Sequence, residues 1–265
     1  MPKRRSHVLV ALAALAVLLA LCASALASAE LAQKGNLRIA VQGKLAPKIL
    51  PRTGTAPVSV SVSGKISTTD ESAPPQLRKL TIEINRHGRI ESVGLPTCDP
   101  KSIQVASNGR ALANCGNALV GEGKFFGTIT LPGSEPYAIE GKLLVFNSVE
   151  HGRPVLLGHI YSPHPFATSF VITFAIKRGG HGTYGTTLTA DLKKALGSQR
   201  NLTGIEMTLS RTYSYKGKRR SYISAGCPAP KGLPGAPFPL ARTSFAFADG
   251  RTLTAVLNRT CGAKG

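Results

Sequence analysis

The chain has 265 residues and carries 33 lysines and arginines against 13 aspartates and glutamates, a formal net charge of +20 at pH 7. Its 28 glycines and 18 prolines recur throughout the chain after the N-terminal segment, which argues against an architecture built from long helices. A field of this sign concentrates anions near the surface, although net charge says nothing about the fold.

The N-terminus has the three-part layout of a secretory signal peptide. Basic residues 3–5 precede an apolar run over 8–21, and two small-x-small cleavage sequences follow at 25–27 and 27–29. We therefore expect residues 1–29 to be removed and the rest of the chain to be secreted, where disulfides persist. No later apolar run is long enough to cross a bilayer.

Two further interpretations of this leader compete with cleavage. Residues 8–27 come close to the ~20 apolar residues that span a bilayer, so an uncleaved leader would tether the protein to the membrane. A lipoprotein with Cys22 as the lipidated residue is disfavoured, because Leu21 stands where a small residue is expected. All three interpretations place residues 30–265 outside the cytoplasm.

Four cysteines and a strong positive charge remain after the leader. Without the three basic residues of the leader, 30 basic residues stand against 13 acidic ones, a net charge of +17. An even number of cysteines in an exported chain predicts disulfides, and four cysteines allow three pairings. A zinc site is disfavoured because the cysteines lack C-x-x-C spacing. The four are Cys98, Cys115, Cys227 and Cys261.

Alternation of apolar and polar residues, or a short apolar run, predicts strands along most of the chain. In chain order these are 58–63, 80–85, 142–146, 154–160, 170–176, 205–210, 245–247 and 252–257. The proline-rich segment 46–57 is expected to lie extended on the surface or at an edge. Two short helices are predicted, at 110–114 after Ser107 and at 192–196 after Asp191.

Turn signals about every ten residues separate these strands. They include His87-Gly88, Asn108-Gly109 and Asp249-Gly250, the last of which suits the two positive φ angles of a tight hairpin turn. Many short strands at this spacing are typical of sandwich or barrel folds. We therefore predict an all-β protein built as an antiparallel β-sandwich.

The two halves of the chain after the leader echo one another. In each half, two strands precede arginines around a glycine turn and then a cysteine close to a proline. An internal duplication would give two sandwich units, 30–150 and 151–265, each with its own disulfide. The preferred pairs are then Cys98–Cys115 and Cys227–Cys261. The alternative is one large β domain over 30–265 with crossed bridges.

Three segments carry a resemblance to known proteins. The segments PKILPRTGTAP (47–57), SPHPFATSF (162–170) and SAGCPAPK (224–231) look like parts of a group of uncharacterised exported basic proteins from GC-rich actinobacteria. The resemblance covers most of the chain after the leader. It implies export and a bacterial origin, and it supplies neither an activity nor site residues.

No motif for catalysis stands out in the sequence. It lacks a Gly-x-Ser-x-Gly elbow and a Ser-x-x-Lys pair, and no glycine loop has phosphate-binding spacing. Glycoside hydrolysis needs two carboxylates at a defined separation, whereas Glu83 and Glu206 are better interpreted as cross-strand partners of arginines. His159 and His164 have no regular ligand spacing. No catalytic residue, metal site or cofactor is predicted.

The sharpest local feature is a basic hairpin around residue 217. A strand runs to residue 215, a tip at 216–220 carries four cations, and a second strand returns from 221. Aromatic rings beside cations can stack on sugars or bases while the cations bind phosphates. The candidate ligand-binding residues are Lys216, Lys218, Arg219, Arg220, Tyr215 and Tyr222. The alternative is a charged tip that discourages edge pairing.

These features favour a non-catalytic, exported envelope or extracellular binding module with affinity for anionic polymers. The expected partner is a cell-wall polyanion or an acidic polysaccharide, because export argues against nucleic acid. The alternatives are a secreted hydrolase acting on polysaccharide and a structural protein that assembles through its sheet edges.

Overall fold

The computed structural model describes residues 29–164, 167–179, 182–230, 233 and 235–264, so the predicted leader lies outside the described residues except for Ala29. The described strands are β1 Glu30–Lys34, β2 Leu37–Ala46, β3 Ile49–Pro51, β4 Ala56–Pro57, β5 Ser59–Thr68, β6 Leu77–Asn85, β7 Gly88–Ile90, β8 Leu119–Ile129, β9 Tyr137–Glu150, β10 Arg153–Ser162, β11 Thr168–Arg178, β12 Tyr184–Asp191, β13 Arg200–Leu209, β14 Thr212–Tyr215, β15 Lys218–Ser221, β16 Ile223–Ala225, β17 Pro237–Phe247, β18 Thr252–Thr260 and β19 Gly262–Lys264. The helices are α1 Pro100–Ile103, α2 Asn108–Cys115 and α3 Leu192–Leu196, with a 3-10 turn at Gly116–Ala118.

Twelve of these strands form one sheet, in the order β1-β2-β5-β13-β8-β9-β10-β11-β12-β6-β17-β18. Every neighbouring pair in this sheet is antiparallel. The prediction of an antiparallel all-β protein is therefore confirmed. Each predicted strand overlaps an observed one, whereas four strands of this sheet, β1, β2, β8 and β12, have no counterpart among the predicted ranges.

Both predicted helices are present, and their N-caps explain where they begin. The Ser107 hydroxyl accepts a hydrogen bond from the backbone N–H of Arg110 at the start of α2. The Asp191 carboxylate accepts one from the backbone N–H of Lys194 at 3.1 Å, at the start of α3. Such side-chain acceptors satisfy donors that the first helical turn leaves unpaired.

Strands from the two predicted halves alternate in the sheet. β13 lies between β5 and β8, and β6 lies between β12 and β17. The boundary predicted near residue 150 falls in the turn between β9 and β10, which pair with each other along their length. The sheet therefore does not divide into two sandwich units at this point, because each half hydrogen-bonds to the other. The internal duplication stays a prediction.

The sheet curls until its two edge strands, β1 and β18, contact each other. Two arginines, one just before β18 and one near its end, reach across this seam to the β1–β2 hairpin. The Arg251 guanidinium donates to the Asn36 side-chain oxygen at 2.8 Å, and Arg259 Nε donates to the Gly43 carbonyl oxygen at 2.6 Å. These hydrogen bonds join β18 to the β1–β2 hairpin along the seam.

The main core fills the inner face of the curled sheet. It includes Leu37 and Ile39 of β2, and Phe125 of β8, whose ring meets the Phe170 ring edge to face at 5.2 Å. Burying a side chain of this size contributes about 1.5–3 kcal/mol. A smaller core lies on the outer face, where Ile103 and the Cys98–Cys115 segment cover Leu144, Phe146, Val155 and Leu157.

Both predicted disulfides, Cys98–Cys115 and Cys227–Cys261, are present. Two disulfides are typical of an oxidising, extracytoplasmic environment. Within the described ranges, no helix has both the length and the apolar character needed to cross a bilayer.

Candidate anion-binding site

The basic hairpin exists, but its tip is shorter than predicted. β14 pairs with β15, with Tyr215 opposite Lys218. The two residues between them, Lys216 and Gly217, have φ angles of 50° and 70°, as a two-residue hairpin turn requires. Lys218, Arg219 and Arg220 therefore lie on β15 and not in the tip. In contrast, the Asp249-Gly250 turn has a positive φ only at Gly250.

Strand geometry divides the hairpin cations between two faces, because successive side chains of a strand point to opposite sides. Lys218 and Arg220 lie opposite Tyr215 and Tyr213, whereas Arg219 lies opposite Ser214. The tyrosine face packs against the segment that follows β7, where the Tyr213 hydroxyl donates to the Val93 carbonyl oxygen at 3.0 Å. Lys216, Lys218 and Arg219 are exposed to solvent.

Tyr215 is a packed anchor for the hairpin. Its ring lies so close to Gly94 that a Cβ atom at that position would come within 2.1 Å of it. Gly94 also has a φ of +83°, which side-chain-bearing residues rarely adopt. The Lys216 ammonium and the Arg220 guanidinium lie 5.5 Å and 5.6 Å from the ring centroid. The ring thus contacts Gly94 and has two cations close by.

The prediction that Tyr222 is a binding platform is wrong, because its side chain is 0% exposed. Burial raises the pKa of its hydroxyl well above the usual range. Arg220 is half-buried, and its Nη1 lies 3.6 Å from Oε2 of Glu91. Both residues therefore hold the hairpin in place, and among the six predicted residues only Lys216, Lys218 and Arg219 are fully available to a ligand.

A pocket lined by three arginines adjoins the hairpin, and sequence reasoning did not find it. Arg86, Arg89 and Arg178 line a pocket of about 300 Å³, which we call the arginine pocket. Arg86 follows β6, Arg89 lies on β7 and Arg178 ends β11. Pairing of β12 with both β6 and β11 brings these elements together.

Backbone carbonyls orient two of these arginines. Arg86 Nε donates to the Gly182 carbonyl oxygen at 2.5 Å, and Arg178 Nη2 donates to the Ile90 carbonyl oxygen at 2.5 Å. A guanidinium has five N–H donors, so each side chain keeps further donors for a ligand. Guanidinium groups bind carboxylate and phosphate oxygens in pairs, which suits an anionic group in this pocket.

The hairpin and the arginine pocket are joined through β7. Glu91 lines the pocket and also pairs with Arg220 of the hairpin. Its backbone N–H donates to the Tyr222 carbonyl oxygen at 2.9 Å, and Arg89 lies opposite Ser224 in the β7–β16 pair. The pocket arginines and the exposed hairpin cations therefore belong to adjoining parts of one basic surface.

Other predicted candidates lie apart from this surface. Glu83 is a cross-strand partner of Arg242, as predicted, with oxygen–nitrogen distances of 2.5 Å and 2.8 Å. Hydrogen bonding to this guanidinium lowers the pKa of Glu83. Glu206 is exposed and lies opposite Lys124, which is not an arginine. His159 is fully buried. Within the described residues, no group of three or more metal-ligating side chains is assembled.

Comparison with known proteins gives no relative from which a role can be transferred. No protein-family model, no curated protein and no solved structure matches the chain. The functional argument therefore depends on the geometry of the basic surface.

Proposed function

We propose that the protein is an exported, non-catalytic binding module of a bacterial cell envelope that holds anionic polymers. The arginine pocket carries this proposal, because three guanidinium groups and only one carboxylate stand among its lining side chains. The signal-peptide pattern, the two disulfides and the charge of +17 after the leader support an extracytoplasmic setting with anionic partners.

The pocket and the hairpin have different parts in this proposal. The arginine pocket has room for one phosphate, sulfate or carboxylate group of the polymer, which its guanidinium groups bind through paired hydrogen bonds. Lys216, Lys218 and Arg219 are exposed and attract neighbouring charges of the same chain. The expected polymer is a cell-wall polyanion or an acidic polysaccharide.

The test compares two triple variants that remove the same charge. In the pocket variant Arg86, Arg89 and Arg178 are replaced by glutamine. In the control variant three exposed lysines outside the pocket, Lys44, Lys65 and Lys79, are replaced by glutamine. Binding to immobilised polyphosphate and to polygalacturonate is measured over a series of salt concentrations, with dextran as the uncharged reference polymer.

The pocket variant is expected to bind at least one polyanion about tenfold more weakly than the wild type, because hydrogen-bonded ion contacts are lost. The control variant is expected to lose about twofold, through the general field alone. Equal losses in the two variants would contradict a role for the pocket. An unchanged affinity in both would contradict the proposed function itself.

A further inference from the structure

A second depression lies on the outer face of β8, β9 and β10. Its volume is about 1060 Å³, and it shares no lining residue with the arginine pocket. Tyr161 of this depression lies near the end of β10, beside the start of β11, whereas Arg178 of the arginine pocket is the last residue of β11. The two ends of β11 are ten residues apart, or about 33 Å. We call this depression the tyrosine groove.

The charges in the tyrosine groove cancel. Lys124 and Lys142 lie directly opposite each other on β8 and β9, and each pairs diagonally with a glutamate. Lys124 Nζ lies 3.3 Å from Glu140 Oε1, and Lys142 Nζ lies 3.0 Å from Glu122 Oε2. On a chain with a charge of +17 after the leader, a groove with two cations and two carboxylates does not select its ligand by net charge.

These four side chains can nevertheless form further hydrogen bonds with a ligand. All of them are between 46% and 61% exposed. An ammonium has three donors and a carboxylate about four acceptor positions, so one ion pair leaves most of them open. Asn108 lines the same groove, and its side-chain amide carries two N–H donors. The groove thus offers donors and acceptors side by side.

Two tyrosines that line the groove add apolar surface near these polar groups. Tyr137 at the start of β9 is 44% exposed, and Tyr161 near the end of β10 is partly buried. A tyrosine combines a large apolar ring with a polar hydroxyl. We infer that the tyrosine groove binds an uncharged oligosaccharide, whose apolar ring faces contact the tyrosines and whose hydroxyls bond to the ion pairs and Asn108.

The positions of the two carboxylates fit binding and not cleavage. Glu122 lies opposite Leu144, four residues along β9 from Glu140, which separates the two positions by about 13 Å along the strand. Each carboxylate is also held by its own lysine. Glycosidases place their two carboxyl groups about 5–9.5 Å apart around the bond that is cleaved.

The test uses the full chain and four uncharged hexasaccharides, of the cello-, xylo-, manno- and N-acetylchito- series. Binding is measured by calorimetry at about 0.5 M salt, because salt at this concentration suppresses binding through the basic surface. Tyr137→Ala removes an exposed ring without disturbing the core, and Tyr137→Phe keeps the ring. The pocket triple variant, with glutamine at Arg86, Arg89 and Arg178, serves as the control that separates this site from the anion site.

At least one hexasaccharide is expected to bind the wild type, the Tyr137→Phe variant and the pocket triple variant alike. Tyr137→Ala is expected to weaken that binding about tenfold. Binding of none of the four sugars, or equal binding by Tyr137→Ala, would overturn the inference. Binding of a lysine–glutamate peptide instead, weakened by Tyr137→Ala, would reassign the groove to a protein partner. Shortened sugar products would overturn its non-catalytic character.

Discussion

Arg220 of the hairpin lies with its Nη1 3.6 Å from Oε2 of Glu91, and Glu91 in turn lines the arginine pocket. Both side chains are about one-third exposed, at 34% and 39%. An ion pair this exposed contributes only about 0–1 kcal/mol to stability. The main effect of this ion pair is therefore to hold the Glu91 carboxylate beside the three pocket arginines.

Replacing Glu91 by glutamine is expected to tighten binding of polyphosphate roughly threefold at low salt, because it removes a negative charge from the pocket wall. The free energy of unfolding should change by less than about 1 kcal/mol. Glu135→Gln, at an exposed carboxylate elsewhere, is the matched control. Weaker binding by Glu91→Gln would mean that Glu91 acts mainly by holding the hairpin in place.

Tyr222→Phe is expected to leave polyanion affinity unchanged, since the side chain is fully buried. Its hydroxyl has no hydrogen-bond partner among the described residues, so removing it should be neutral or stabilise the protein by up to about 1 kcal/mol. Tyr222→Ala should cost about 3–5 kcal/mol, because it empties part of the core. Urea denaturation of the wild type and the two variants measures both changes in the free energy of unfolding. A large loss of stability in Tyr222→Phe would show that the hydroxyl does have a hydrogen-bond partner.

The Glu83–Arg242 pair is expected to make stability depend on pH in the acid range. The pKa of Glu83 is lowered in the folded protein, so its contribution is present above the unfolded value of about 4.3 and disappears as the pH falls further. Glu83→Gln should therefore cost about 1 kcal/mol at pH 7, since Arg242 is 42% exposed. Denaturation curves should show this difference shrinking below about pH 4. If the difference in unfolding free energy between the wild type and Glu83→Gln stays constant as the pH falls, the Glu83–Arg242 pair does not cause the pH dependence.

His159 is expected to destabilise the protein at mildly acid pH. Its Nε2 lies 2.9 Å from the Ala106 carbonyl oxygen, and burial lowers its pKa. Between that lowered pKa and the unfolded value of about 6.5, the unfolded chain binds more protons, so stability is lost as the pH falls below about 6.5. His159→Gln retains an amide donor for Ala106 and does not titrate. Its free energy of unfolding should vary less between about pH 7 and pH 5 than that of the wild type.

The two disulfides are expected to contribute unequally. The Cys98–Cys115 bridge spans 17 residues and the Cys227–Cys261 bridge spans 34. Restriction of the unfolded chain then predicts losses of about 3 and about 4 kcal/mol when each pair is replaced by alanines. Thermal and urea denaturation of the two double variants measures these losses. A larger loss for the shorter loop would show that packing of the outer core dominates over chain entropy.

Local chemistry explains what the sequence by itself determined. Alternation located most strands, and the caps Ser107 and Asp191 located both helices, because these signals act between residues that are near each other in the chain. Glu83 was also correctly predicted to pair with an arginine, since an outward glutamate on a strand finds its partner on a neighbouring strand. The fold class and both disulfides were likewise predicted.

Only the tertiary structure decided which strands are neighbours, and therefore where the sites lie. Arg86, Arg89 and Arg178 meet because β12 pairs with both β6 and β11, and no local pattern specifies that pairing. The alternation around residue 215 predicted a hairpin. Whether the Tyr222 side chain is buried or exposed, however, depends on how the chain after the hairpin packs against β7 and the main core. A strand pattern shows that one face will be covered; which elements cover it depends on contacts between residues far apart in the chain.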